Sequence, residues 1–466
     1  MGGVSSGVCL AVCLAVIAAS GSTAEVIPWD LMWKAKRVSP KTTVKCGSQA
    51  FATPDHHDTA NLRGPRIYIY DYPPLNAFLR EVKAKYIANP MPTADKYYTE
   101  IALHERLLSS RLRTRDPTEA DIFFIPFYGT YAFDTGGIMA LTKLHNLLYD
   151  LFSKNTEATH FLSRHGGSDH AIVYSSTRGF GNRATLFPKR FTTLLGHTVI
   201  LTVEVDDYRF TKDWDPRGRW DQSYRRLVHE NGVLIPFYTA AVTHGAAFDI
   251  VSHNPSEISV AMIANPRHPI RARLMQVFAR WNEEIIDGTT PIMAQRSFVR
   301  NNNATDTRFN IARYEVPRGQ MISTDDFTRL QQESAAILAR STFCLIPCGT
   351  TPTTTRLYEA LASLCIPVIV CDAASRFPFQ RQIDYNRIAL RFTEACVDAV
   401  PRALASMTEA TIRAYRDAIE RARKHLLWHH PASETVERIA MELERKRRTR
   451  AADCAGGKVG FFRLHC

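Results

Sequence analysis

Residues 341–385 read STFCLIPCGTTPTTTRLYEALASLCIPVIVCDAASRFPFQRQIDY, and their pattern decides the fold. A short apolar run, Phe343 to Ile346, ends in a Pro347-Cys348-Gly349 turn. A loop of small hydroxylated residues, Thr350 to Thr355, follows, and Arg356, Leu357, Tyr358, Glu359 and Ala360 open a helix. A second strand, Cys365 to Cys371, ends at Asp372. Strand, loop, helix and strand make the unit that builds parallel sheets, so the chain reads as α/β. Such sheets take ligands at the carboxyl ends of their strands, where loop amides and a helix N-terminus offer positive partial charge to a phosphate. Arg356 falls in the first helical turn, where a guanidinium can grip two phosphate oxygens at once. Glu359 comes one turn later on the same face, within reach of ribose hydroxyls. Gly349, Thr353, Thr354, Thr355, Arg356, Glu359 and Asp372 thus form a candidate nucleotide diphosphate-sugar site. An Arg and a Glu three apart are equally the pattern of a solvated ion pair, worth a few tenths of a kcal/mol.

The same stretch resembles the C-terminal signature of the exostosin family of glycosyltransferases. That signature runs Phe-Cys-Leu-x-Pro-x-Gly, a Ser-rich loop, an Arg-x-x-Glu/Asp-Ala helix, a Cys-Ile-Pro-Val strand, Pro-Phe and Ile-Asp-Tyr/Trp. Further blocks resemble the family in the same order: Arg66 to Pro74 (RIYIYDYPP), Tyr98 to Leu103 with Asp116 to Tyr128 (DPTEADIFFIPFY), Arg164 to Tyr174 (RHGGSDHAIVY) and Gly232 to Tyr238 (GVLIPFY). Five blocks span about residues 66 to 395. The departures are local. Thr350 stands where many relatives carry Asp, Thr353 to Thr355 replace serines, and Leu364 replaces the Gly before Cys-Ile-Pro-Val. Ala261 to Arg271 (AMIANPRHPIR) lacks the Phe-x-Gly before the Ile-Arg helix, and Arg376-Phe377 lacks the carboxylate before Pro-Phe.

The resemblance implies the two-Rossmann architecture called GT-B, with two domains facing across a cleft and terminal helices crossing back over the first. It implies transfer, with inversion, from a UDP-sugar co-substrate to a polysaccharide or glycoprotein acceptor, without a cofactor or bound metal. The departing diphosphate then needs cationic side chains and a helix N-terminus. Arg356 is the first choice, and Arg271, at the place of the family's Ile-Arg, is the second. Inversion also needs a base for the acceptor hydroxyl. Asp169 and His170, behind the Gly166-Gly167 pair, are the candidates, with Asp71 and Glu100 as rivals; a turn capped by Asp169 is the plainer reading of Gly-Gly-Ser-Asp. A neutral His suits near-neutral pH, whereas an Asp would need a raised pKa. Asp206-Asp207 invites a metal reading, but an acidic pair after a strand is ordinarily a turn or cap. An inactive relative that binds glycan, or pairs as homo- or heterodimer with an active transferase, is the alternative function. A glycoside hydrolase would leave the Arg356 loop without a role.

Length and composition agree with an enzyme of two domains. The 466 residues are 45% apolar, which fits two cores of roughly 180 to 200 residues and excludes a disordered chain. Residues 1–24 read as a signal peptide or short anchor: Val8 to Ala19 is too short to span a bilayer, and Ser22-Thr23-Ala24 offers small residues for cleavage. Residues 25–60 read as a stem, 61–253 as the acceptor domain, 254–407 as the nucleotide-sugar domain, and 408–466 as terminal helices with a basic tail. The implied location is the Golgi or endoplasmic reticulum lumen, anchored or secreted. Asn303-Ala304-Thr305 is a glycosylation acceptor motif there.

Eight cysteines follow the leader, and an even number in an oxidising lumen permits disulfides whose pairing the sequence leaves open. Cys344, Cys365 and Cys371 lie in apolar strand patterns and read as buried small hydrophobes. No His or second Cys pair stands at zinc spacing from Cys344 and Cys348. The net charge of +12 gathers partly in Arg445 to Arg450 (RKRRTR). The leader and the absence of a recognition motif argue against nucleic acid; an anionic glycan, a phosphate-rich membrane surface or a plain solvated helix end remain as readings. Further expected elements are strands at Arg66–Tyr70, Asp121–Ile125, Ala171–Tyr174, Thr198–Val203 and Ile258–Ile263, helices near Ile138–Phe152 and Pro269–Ile285, and a helical region from Thr408 to Arg448 broken at Pro431.

Overall fold

In the computed structural model the described residues are 46–51, 64–88, 97–175, 197–203, 231–239, 258–264, 269–286, 310–312, 332, 334–348, 353–372 and 376–455. The leader, most of the stem, Asp206-Asp207, the Asn303 sequon, Gly349 and Thr350 lie outside them. Residues 122–125 (IFFI) and 341–347 (STFCLIP), apolar but for Ser341 and Thr342, are buried along their whole length. Burial on both faces is what central strands of helix-covered parallel sheets require. Each run is the middle of its own sheet.

The first sheet holds six parallel strands in the order β2-β1-β3-β4-β5-β6, with β1 at Ile67–Ile69, β2 at Arg113–Thr114, β3 at Ile122–Ile125, β4 at His170–Val173, β5 at Val199–Thr202 and β6 at Gly232–Leu234. Its helices are α1 (Pro73–Ala88), α2 (Thr99–Leu108), α3 (Gly129–Lys154) and α4 (Thr156–Arg164). The second sheet is ordered β11-β10-β9-β7-β8, also parallel, from β7 (Ile258–Ile263), β8 (Asn310–Ala312), β9 (Ser341–Pro347), β10 (Ile366–Val370) and β11 (Leu390–Phe392). With it go α5 (Pro269–Ile286), α6 (Thr355–Ala362), α7 (Val400–Ala405), α8 (Glu409–Leu426) and α9 (Thr435–Ala455). Two Rossmann-like sheets in one chain are the GT-B plan. Residues 46–466 make one compact unit by their contacts. Among the described residues no helix is long and apolar enough to cross a membrane.

The helix expected near Ile138 is the second part of α3: Gly137, with φ 62° and ψ −156°, separates it from a first part that begins at Gly129. That left-handed geometry favours glycine. At residue 364 the family's glycine is missing: Leu364 adopts φ 53° just after α6, while the Cys365 N–H closes back on the Ala360 carbonyl at 3.0 Å. A helix ended this way wants glycine at that place, which explains the family's preference.

The cysteines correct the sequence reading. Cys344 bridges Cys365, Cys348 bridges Cys371, and Cys46 bridges Cys396. Adjacent parallel strands bring Cys344 and Cys365 to a Cα separation of 5.8 Å, and Cys348 and Cys371 to 5.0 Å. Both fall within the range a disulfide needs. Cysteines in apolar strands are buried as expected, but they are paired.

The terminal helices return to the first sheet. Trp428, fully buried, donates its Nε1–H to the Pro236 carbonyl at 2.9 Å, and Arg106 of α2 donates to the Trp428 carbonyl. The basic run on α9 is no solvated end. Arg447 is bound twice by Glu444 at 2.8 Å, Arg448 is paired with the same carboxylate at 2.6 Å, and Arg445 is paired with Glu442 at 3.0 Å. Burial, then neighbouring cations led by Arg450, push the Lys446 amine down to about 8. Arg450 donates to the His197 carbonyl and to Asn231 Oδ1. These partners precede β5 and β6, so the run docks at the amino edge of the sheet. Trp428→Ala should cost about 3–5 kcal/mol of stability, from lost packing and an unsatisfied carbonyl; denaturant unfolding of the two proteins measures it.

Candidate active site

Helix α6 starts where the sequence places it. Thr354 caps it, its hydroxyl accepting from the Arg356 N–H at 3.3 Å. One face of α6 is apolar and buried through Leu357, Tyr358, Leu361 and Ala362, which seats the helix against its sheet. Its far end is closed by Arg423 of α8, whose buried guanidinium donates to the Leu361 and Ala362 carbonyls at 3.0 and 2.7 Å. Those carbonyls have no partner inside the helix, and a cation suits the negative end of its dipole. Nothing in the local pattern around residue 423 announces this contact.

Arg356 and Glu359 meet in the structure: the guanidinium donates to Glu359 Oε2. The Glu359 side chain is only 5% exposed and Arg356 is 30% exposed, so this is no solvated pair. Glu359 holds Arg356 and spends that oxygen doing so. The second arginine comes from α5. Arg271 Nε donates to the Cys348 carbonyl, at the carboxyl end of β9, at 2.9 Å. Burial, and next the positive charge of Arg356, hold the Arg271 guanidinium below the usual arginine range. Two cations from two helices therefore converge at the end of β9, beside the N-terminus of α6. Like charges brought together out of bulk water form a site for an anion.

Asp372 closes the next strand end. Its carboxylate accepts from the Glu394 N–H at 2.8 Å, while Glu394 Oε1 lies 3.4 Å from the Asp372 N–H. Burial and then Asp372 push the Glu394 carboxyl up. Cys348, Cys371 and Glu394 are the one trio among the described residues with metal-like spacing, but its sulfurs are bonded to each other. Disulfide sulfurs are no longer thiolates and cannot bind a cation as such. Thr353 and Thr355 flank the Thr354 cap at the same strand end.

Asp169 and His170 are not part of this site, which corrects the expectation that they supply the base. They stand at the start of β4, the amino edge, with 1% and 0% exposure. His170 Nδ1 lies 2.6 Å from Asp169 Oδ1, and its Nε2 lies 2.7 Å from the Tyr70 hydroxyl. Arg164 Nε donates to Asp169 Oδ2 at 3.0 Å, and Phe123 stacks on the His170 ring at 4.8 Å. Burial lowers the His170 pKa despite the opposing pull of Asp169. Burial would raise Asp169, but the hydrogen bond from His170 and then Arg164 pull it down. Buried at the amino edge, with both carboxylate oxygens and both ring nitrogens already bonded inside the fold, the pair has no free atom to offer an acceptor hydroxyl.

The rival Glu100 stands at the opposite, carboxyl edge. It lies in the first turn of α2 and is fully buried. Its carboxylate accepts from the Thr130 N–H at 3.1 Å, the Ser175 N–H at 3.1 Å, the Ser175 hydroxyl at 3.0 Å and the Thr130 hydroxyl. Burial pushes its pKa up to about 7 against those four donors. It ties α2 to the start of α3 and to the end of β4. Only its place near the Tyr98 block hinted at this.

The Exostosin GT47 domain matches residues 61–407 of the chain. A protein of Arabidopsis thaliana described as probable glucuronoxylan glucuronosyltransferase IRX7 is 26% identical over 381 residues, which are 79% of this chain and 73% of that protein. Another, described as probable beta-1,4-xylosyltransferase IRX10, is 24% identical over 352 residues, covering 75% and 74%. The catalytic domain of starch synthase IV from the same plant, solved with ADP and acarbose, overlays with a TM-score of 0.34 at 14% identity over 78% of each chain.

Glu100 makes stability depend on pH. Its folded pKa of about 7 lies above the ordinary 4.5, so between those values the folded chain holds a proton that the unfolded chain releases. Stability from this group therefore falls as pH rises through that window. The unfolding free energy of the protein minus that of Glu100→Gln should drop by up to about 3 kcal/mol between pH 4.5 and 8. A difference that stays constant across the range would overturn the assignment.

Proposed function

The chain belongs to the exostosin GT47 family and is a glycosyltransferase; from that premise, we propose that it moves a glucuronosyl or xylosyl unit from a UDP-sugar, with inversion, onto a xylan-type glycan in the secretory pathway. The observation that carries the donor half of this reading is the convergence of Arg271 and Arg356 at the carboxyl end of β9. The sugar C1–O bond to the β-phosphate breaks as the acceptor oxygen attacks the opposite face of C1, and UDP departs with the bonding pair. Negative charge then grows on the diphosphate, where two fixed guanidiniums and the α6 N-terminus stabilise it more than they stabilise the bound donor. A cationic pair fills the role that a divalent cation fills elsewhere, so turnover should persist in excess EDTA. Loss of turnover in EDTA, restored by manganese, would place a metal in the step.

The sugar and acceptor classes are taken from what the relatives are described as doing. The compartment is supported by three disulfides, including Cys46 to Cys396, which an oxidising lumen permits and the cytosol does not maintain. A tagged protein that fractionates with the cytosol and carries free thiols would contradict it.

Arg356→Ala should lower turnover about 100- to 1,000-fold, the usual loss for one preorganised charge stabiliser. Arg356→Lys keeps the charge but not the planar fork and should recover only part of it. Because Glu359 holds Arg356, Glu359→Gln should also act on turnover. Steady-state kinetics with UDP-glucuronic acid and UDP-xylose over xylo-oligosaccharides measure these effects. A folded protein that binds these donors but transfers to no acceptor would favour the inactive, glycan-binding alternative.

A further inference from the structure

The last strand of the first sheet leads directly to the donor helix. Beyond β6 the chain runs Ile235-Pro236-Phe237-Tyr238. The Pro236 carbonyl is held by Trp428, and the Phe237 ring lies 6.0 Å from the ring of Tyr358 at 64°. The Tyr358 hydroxyl is hydrogen-bonded to the Phe237 backbone. Tyr358 is two residues from Arg356 and next to Glu359. Tyr238 is thus the first residue past one point where the two halves touch, the Phe237–Tyr358 contact. It stands at the carboxyl edge of the first sheet, the edge at which parallel sheets take ligands.

Tyr238 differs from its neighbours in being only half-buried, while Ile235 and Phe237 are 0% and 1% exposed. It is nonetheless fixed. Its N–H donates to the Thr99 hydroxyl at 3.0 Å, and its ring packs on Tyr98 with centroids 5.0 Å apart at 55°. Tyr98 and Thr99 immediately precede Glu100, whose four hydrogen bonds anchor that end of α2. A rigid, partly exposed aromatic ring has lost its ordering entropy before any ligand arrives. It offers an electron-rich face of the kind that C–H groups of low electron density pack against. Pyranoses with equatorial substituents, such as xylose and glucose in β-linkage, present a flat face of axial C–H bonds of that type.

We propose that the Tyr238 ring is the floor of an acceptor subsite that takes one pyranose of a β-linked glycan by stacking. The subsite sits beside the contact between Phe237 and Tyr358, so a sugar on it lies next to the helix that carries Arg356. The inference deepens the functional reading above and rests on it for the class of glycan. Glu100 acts here as a positioning residue, through α2 and Thr99, and touches no sugar.

The test uses the full chain with xylohexaose as probe. Binding is measured by calorimetry in the presence of UDP for the protein, Tyr238→Phe and Tyr238→Ala; transfer kinetics and the thermal shift caused by UDP are measured separately. Tyr238→Ala should weaken xylohexaose binding, and raise its KM, roughly five- to tenfold, the size expected for one aromatic contact. The UDP shift should be unchanged, and Tyr238→Phe should bind like the parent. Four results overturn the proposal: no xylohexaose binding by the parent, no change in Tyr238→Ala, a Tyr238→Phe as weak as the alanine variant, or a Tyr238→Ala that loses the UDP shift as well. A parent that binds through Tyr238 but transfers nothing refutes the transferase reading and keeps the subsite. Transfer with a KM indifferent to residue 238 does the reverse.

Discussion

Two guanidiniums brought together at the end of a strand repel each other, and much of the second half of the chain is arranged to hold them there. Arg271 is tied by Nε to the Cys348 carbonyl, and Arg356 is tied to a buried Glu359. Cys348 is itself bonded to Cys371, so the ends of β9 and β10 cannot separate while the disulfide stands. Arg423 fixes the other end of α6 by its last carbonyls. Each contact fixes a position more than it adds net stability, because a partly buried charge repays its desolvation only through good geometry. An anion bound between the two guanidiniums would relieve their repulsion.

The carboxyl edge of the first sheet is of a different kind. There the residues past the strand ends are largely aromatic: Tyr128 after β3, Tyr174 after β4, Phe237 and Tyr238 after β6. Glu100 is the acid buried among them, held by neutral donors. The division matches the donor and acceptor halves proposed above. A diphosphate is recognised by charge, whereas a neutral sugar chain offers hydroxyls and C–H faces, for which aromatic rings and amide or hydroxyl donors are the matching groups.

The placement of Thr354, Arg356 and Glu359 on one capped helix was legible because it is local. Thr354, Arg356 and Glu359 lie within six residues, and a capped helix after a buried strand fixes their mutual placement by helical geometry alone. Arg271 was legible only through the family's Ile-Arg, since its partner Cys348 is 77 residues away. Asp169 and His170 were misread for a simple reason: a motif before a strand gives no sign of whether its polar atoms face solvent or one another. Their partners Tyr70 and Arg164 come from other elements. The cysteines failed in the same way, because pairing depends on strand register. Apolar surroundings told only that they would be buried. The run at 445–450 looked like a solvated or ligand-binding patch until docking at β5 and β6 supplied its partners.

The placement of those misread groups has a common logic. Asp121 and Asp169 precede β3 and β4, and His197 and Asn231 precede β5 and β6. The α9 cations meet this row: Arg447, held charged first by Glu444, also feels Asp121 and Asp169, and Arg450 reaches His197 and Asn231. Charge at the amino edge is therefore consumed within the fold, by Asp169 with His170 and Arg164 and by the acids and carbonyls along α9. At the carboxyl edge of the second sheet two arginines lie near enough for one to feel the other's charge, Arg356 bonded to Glu359 and Arg271 to the Cys348 carbonyl. A basic chain of this family need not carry its ligand site where its cations are densest. The dense run is tied into the fold by Glu442, Glu444, His197 and Asn231.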